Sequence, residues 1–182
     1  MAERQPPRFT GVNTYIDPYG RFHFRHSWEW EQFELDDNRD GVMFVPDTKD
    51  MNTWFAVWIT ELKDQHVVAE DLDILREGLE EGLDQLEDCK VEQSSEDVMG
   101  NLIKFERIFT FKENGQTRKR KQWVLYVDRW MIVVIFQGST EEEYKYWLAM
   151  ANYSFATFNL PEELWFMTDR DLAGYWKEYT KK

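Results

Sequence analysis

The hydrophobic pattern of this chain changes period several times, and each change marks an element. From Arg21 to His26, Phe22 and Phe24 alternate with Arg21, His23 and Arg25, which predicts a short strand with one buried face. Tyr15 to Gly20 before it is turn-like, punctuated by Pro18 and Gly20. Trp28, Trp30, Phe33 and Leu35 extend an aromatic, strand-like stretch as far as the polar turn Asp36 to Gly41. Val42 to Val45 is a short strand that Pro46 stops. Trp54 to Thr60 is apolar on both faces and predicts an interior strand.

The second half of the chain is more regular. Lys90 to Asn101 is a polar strand or loop. Ile103, Phe105, Phe109 and Phe111 then alternate with polar neighbours, and Asn114-Gly115 supplies the positive φ angles of a tight hairpin. Arg118 to Val127 returns, Asp128-Arg129 turns again, and Trp130 to Phe136 completes a three-stranded meander. That last strand has no polar alternation, so it needs cover on both faces. The stretch from Trp123 to Phe158 is therefore the scaffold of the molecule.

Two helices are predicted as that cover. Over residues 70–87, Leu72, Leu75, Leu79, Leu83 and Leu86 form one apolar stripe, opposite an acidic face with Arg76 as its single base. Gly78 and Gly82 each cost such a helix about 1 kcal/mol against Ala, and their spacing suggests close approach to a neighbouring surface. The second helix starts at Thr140, with Glu142 or Glu143 in capping-box position, and buries Tyr144, Trp147, Leu148, Ala151, Phe155 and Phe158. After Pro161, Leu164, Trp165, Leu172, Tyr175 and Trp176 suggest a further amphipathic helix. The expected division is a flexible arm over 1–12, one domain over 13–160 and a helical extension over 161–182.

Charge narrows the partners. A formal net charge of -13 and a pI near 4.7 disfavour nucleic acid and anionic lipid, and suit a soluble protein or one whose partner is basic. Cys89 is the only cysteine, which excludes an intrachain disulfide. The first residues lack the apolar core of a secretory signal, and no apolar run approaches the ~20 residues that span a bilayer. The expectation is a cytoplasmic protein with no membrane insertion.

Catalytic signatures are missing from the pattern. His23 and His26 are three apart and, on a strand, point to opposite faces. No GxSxG, GxGxxG or P-loop is present. No catalytic residue, metal or cofactor is assigned. Arg118-Lys119-Arg120-Lys121 reads either as a contact for an acidic partner or as solvated charges guarding a strand edge, and the second is the commoner case. On the acidic helix, Glu77, Glu80, Glu81 and Asp84 are candidates for a basic partner, although such faces are more often simply solvated. Most of the nine tryptophans sit in elements that should pack together. Trp165 and Trp176, with Tyr175, are the candidates for contact with a protein partner or a second copy.

The order of elements resembles one superfamily. An aromatic N-terminal strand with a Trp just after it is followed by strands around 42–60, an acidic helix, a meander with an Asn-Gly turn, and a closing helix ending in Ser154-Phe155. This is similar to the superfamily of the photosystem II extrinsic protein PsbP and the yeast Ran-binding nuclear-import factor, which includes small bacterial proteins of unassigned role. The resemblance covers residues 13–160. Arg25-His26-Ser27-Trp28 lacks the proline often found there, and the tail after Leu160 is extra.

The resemblance implies an α+β fold, an antiparallel sheet of about six strands between helices. It implies a non-catalytic protein-binding role; some bacterial relatives are chaperone-like adaptors that shield apolar segments of secreted effectors. Two alternatives stand beside it. One is a carrier of a small apolar ligand or lipid, with a pocket lined by residues such as Met43, Met51, Met99 and Met131. The other is a hydrolase that gathers His23, His26 or His66 with carboxylates.

Overall fold

A computed structural model describes residues 3–162 and Leu164. Nine strands and two α-helices follow in the order β1 (Val12–Ile16), β2 (His23–Ser27), β3 (Glu31–Phe33), β4 (Gly41–Val45), β5 (Trp54–Glu61), α1 (Leu72–Asp84), β6 (Lys90–Met99), β7 (Leu102–Glu113), β8 (Gln116–Val127), β9 (Trp130–Gly138) and α2 (Glu141–Thr157). The large sheet is antiparallel and has seven strands, ordered β3-β4-β5-β9-β8-β7-β6; β1 and β2 form a separate hairpin. The fold is α+β, with one strand more in the sheet than expected.

The most apolar strand lies in the middle. β9 is fourth of seven, and its side chains serve both faces. Ile132, Val134 and Phe136 join a core with α2 and the β1–β2 hairpin, while Val133 and Ile135 face the α1 leucines. β5 lies beside it and is interior, as its two-sided apolar pattern requires. Asn114 and Gly115 have φ of 52° and 73°, the left-handed geometry that closes β7 onto β8.

The helices sit on opposite faces. On α1, Leu72, Leu75 and Leu79 pack on Ile103, Phe105 and Val124, and Leu83 packs on Phe109 and Phe111 together with Leu86, just past the helix end. Thr140 caps α2 by accepting from the Glu143 backbone N–H at 3.1 Å. Gly138 permits a tight entry to α2, because a Cβ there would lie 2.3 Å from the Tyr144 nitrogen.

Several expectations need correction. Gly78 and Gly82 make no close approach, since a Cβ at either would meet nothing within 4 Å. Trp28 is not core: it is 57% exposed, lies over Gly11, and donates its indole N–H to Thr10. Trp30 is the buried one, at 5%. β1 already begins at Val12 and escapes a period-2 reading because Tyr15 alone turns inward.

Candidate functional site

Neither helix spans the whole width of its face. Beyond α2, on the side of β6, β7 and β8, lies an apolar groove of about 350 Å³. Leu102, Trp123, Leu125, Phe155, Phe158 and Leu160 line it, with Asp97, Val98 and Met99 of the edge strand β6 contributing as well. Register explains the assembly. Trp123 pairs with Glu106 across β7 and β8, so both side chains share the α2 face, and the indole N–H donates to Glu106 at 2.5 Å. The Lys104 ammonium sits 3.6 Å from the Trp123 ring centre. Phe155 closes the groove from α2, its ring 4.8 Å from that of Trp123. Val98 and Met99 are exposed beside these aromatics.

The basic run is not a solvated edge. β8 lies between β9 and β7, so Arg118 to Lys121 belong to an interior strand. Alternation holds: Arg118 and Arg120 face the α1 side, Lys119 and Lys121 the α2 side. Arg118 is buried, donating to the Ser139 carbonyl at 2.7 Å and to Glu113 at 3.3 Å. Lys119 bonds Glu92 at 2.7 Å, and Lys121 bonds Asn152 at 2.9 Å.

On the acidic helix, Glu77, Glu80, Glu81 and Asp84 are exposed, as an outward face requires. Arg76 divides its guanidinium: it pairs with Asp73 of the helix at 2.8 Å and turns back to the sheet to grip Glu96 of β6 at 2.6 and 2.7 Å, leaving those four acids without it. Ile74, 69% exposed, interrupts the same surface with an apolar residue. Trp165, Tyr175 and Trp176 lie outside the described residues.

The histidines do different things. His26 is buried against Phe44, and burial lowers its pKa, partly opposed by its contact with the Ser27 carbonyl at 2.8 Å. His66 is exposed and ties the loop before α1 to Asp128 at the β8–β9 turn. Burial raises the Cys89 thiol, and the carboxylate adding to that rise is Asp84; neighbouring Asp88 is engaged by Lys112 at 2.7 Å. Among the described residues, no three His, Cys, Asp or Glu side chains come together as metal ligands. The methionines do not converge either. Met99 is at the apolar groove, Met43 and Met51 on the opposite face, and Met131 in a third cleft near His66.

No protein-family model matches the chain, and no curated protein matches it in sequence. Solved structures match it in shape. The cyanobacterial PsbP protein CyanoP from Synechocystis superposes with a TM-score of 0.60, covering 88% of this chain and 99% of its own at 10% identity. The Ran-binding protein Mog1p of Saccharomyces cerevisiae gives 0.53, with 89% and 98% covered at 13% identity. This chain has the PsbP and Mog1p fold. LpqN of Mycobacterium tuberculosis, involved in cell envelope biogenesis, is similar in the same way, with a TM-score of 0.57, 83% and 91% covered, and 12% identity. Among the described residues no helix is long and apolar enough to cross a membrane.

The apolar groove escapes a sequence reading. Trp123, Leu125 and Phe155 look like core residues in any one-dimensional pattern. That Trp123 stays half-exposed over buried Leu125 and Phe155 follows from how far α2 reaches across the sheet, which no local signal reports.

Proposed function

We propose that this chain is a non-catalytic protein-binding module of the adaptor or chaperone kind, which takes an apolar segment of its partner in the groove beside α2. The observation that carries the reading is the groove itself: half-buried Trp123 and Phe158 lie over buried Leu125 and Phe155, with exposed Val98 and Met99 next to them. Aromatic side chains in partly desolvated pockets are where binding energy concentrates. The likeness in fold to a Ran-binding protein supports the same class of role. The acidic face formed by Glu77, Glu80, Glu81 and Asp84 adds steering for a basic partner. Trp165, Tyr175 and Trp176 are proposed as a further contact surface, toward the partner or a second copy.

Site-specific photo-crosslinking tests this. A crosslinker at Met99 should capture a discrete protein partner, and one at Tyr19, exposed on the β1–β2 turn and outside the groove lining, should not. Replacing Trp123 by Ala should abolish the capture while the protein stays folded. Native mass spectrometry gives the contrary outcome: a retained lipid, with no protein captured from position 99, replaces the adaptor reading with the apolar-carrier one.

A further inference from the structure

The half of the α1 face that α1 leaves bare holds a second cavity, of about 440 Å³, over β3, β4 and β5. Trp54 and Trp58, two apart on β5, supply its aromatic wall. Arg120 and Gln137, cross-strand partners on β8 and β9, reach it from the centre of the sheet.

These groups are held in place. Gln137 is 2% exposed, and its Nε2 donates to the Asn52 carbonyl at 2.8 Å. That contact fixes the amide, so Oε1 accepts from Arg120 Nε at 2.7 Å. The Arg120 Cζ lies 4.4 Å from the Phe111 ring centre and 5.4 Å from that of Trp54. Apart from those ring contacts the rest of the guanidinium is without a partner: among the described residues its two terminal amino groups meet no acceptor and no carboxylate lies within ion-pair distance. Every other arginine that is buried or half-buried there has a carboxylate partner. Arg21 has Asp17, Arg76 and Arg107 have Glu96, and Arg118 has Glu113.

Burial pushes the Arg120 guanidinium down to about 10; Glu113 opposes the fall and Arg39 adds to it. The group stays charged at neutral pH, and a half-buried charge without a counter-ion is costly. Arg39 adds a second cation, stacked 4.9 Å over Trp58.

We propose that this pocket binds a monocarboxylate carried on an aromatic or branched apolar body, about one amino-acid residue in size. The carboxylate accepts the paired N–H groups of Arg120, a geometry that guanidinium favours. The apolar body packs on Trp54 and Trp58. Glu34 and Asp36 also line the pocket, exposed, and Glu113 is held by Arg118. Those acids select against phosphate dianions and polyanions. The carboxylate belongs either to a free acid or to the C-terminal residue of a peptide. The site is on the opposite face from the apolar groove and stands without it.

The test is a titration followed by NMR of the tryptophan indole N–H signals, with N-acetylphenylalanine, its uncharged amide and 3-phenylpropanoate as probes. At least one acid should move the Trp54 and Trp58 signals with a Kd of about 1 mM or tighter. The amide should bind at least about tenfold more weakly. Arg120→Gln should weaken binding of the acid by at least about tenfold, and Arg39→Gln by less. Tighter binding of N-acetylphenylalanine assigns the site to peptide C-termini; tighter binding of 3-phenylpropanoate assigns it to free acids. Equal binding of acid and amide overturns the proposal. So do Trp54 and Trp58 signals unmoved by either acid at about 10 mM, or an Arg120→Gln protein that binds like wild type. If that variant does not fold, the difference between acid and amide on the wild-type protein decides alone.

Discussion

Helices α1 and α2 cover opposite faces of one sheet and hold to it by different means. α2 buries Tyr144, Met150, Ala151, Ser154 and Phe155, whereas α1 buries only Leu83 and leaves Leu72, Leu75 and Leu79 half-exposed. α1 compensates with charge. Arg76 reaches from it to Glu96 on β6, and buried Arg107 on β7 pairs with the same carboxylate at 3.3 Å. Stability and adaptability divide between the two faces. The α2 face carries the packed aromatic core, and α1 is a laid-on cover that can open at lower free-energy cost.

The largest expected effect contrasts the two covers directly. Phe155 is 2% exposed and packs on Phe55 and Trp123, so Phe155→Ala should lose about 3–5 kcal/mol in urea denaturation. Leu75→Ala, on the half-exposed stripe of α1, should lose about 1–2 kcal/mol. Equal losses would erase the distinction between a packed cover and a laid-on one.

Gly138→Ala tests how tightly α2 is seated. The added Cβ would meet the Tyr144 backbone at 2.3 and 2.5 Å, where no flexible side chain can yield. A loss of about 3 kcal/mol is expected. Hydrogen exchange should show the damage in α2 before α1. Exchange rising first in α1 would mean that the α2 entry is softer than its packing implies.

Much of this architecture is legible in the sequence, and the boundary between legible and hidden is physical. The meander is visible because Asn114-Gly115 can close only a tight turn and because Trp130 to Phe136 is apolar on every side. The α1 leucines are visible because helical spacing puts them on one face. What stays hidden depends on strand order. Arg118 to Lys121 reads as a guarded edge until β9 is placed beside β8; then the same alternation puts Arg120 into a desolvated pocket. The signal was available in part, since the middle strand of a meander cannot be an edge. The groove at Trp123 needs the reach of α2 across the sheet, a tertiary fact. Of the candidate site residues, the four acids of α1 are exposed as expected, and the aromatic tail lies outside the described residues.

Charge separates the two faces again. Burial opposes the charge on Asp17, but hydrogen bonds from Arg21, at 2.8 and 2.9 Å from its side chain and 3.1 Å from its backbone, hold the carboxyl below its ordinary pKa. A depressed folded pKa stabilises at pH above the ordinary carboxylate range, and that stabilisation is lost as pH falls through the folded value. Asp17→Asn should therefore cost about 2 kcal/mol at neutral pH, and its deficit against wild type should close in acid. Arg76 likewise depresses Glu96, with burial opposing and Arg107 assisting. Glu96→Gln should follow the same pH course with a smaller deficit, because the Arg76–Glu96 pair lies nearer solvent than Arg21–Asp17. Denaturation midpoints measured from neutral pH into acid would show both curves. A deficit that persists in acid would assign the effect to packing rather than charge.

The smallest effect has the opposite sign. Gly78 and Gly82 lie on the exposed side of α1 in open space, so Ala at either position meets no neighbour. Each substitution should stabilise by up to about 1 kcal/mol, chiefly by restricting the unfolded chain. If α1 is the cover that opens, the gain should appear as slower hydrogen exchange within α1 and leave α2 unchanged. A gain shared equally by α2 would show that the two covers unfold together, and the sheet would then have one cooperative shell rather than a fixed face and a yielding one.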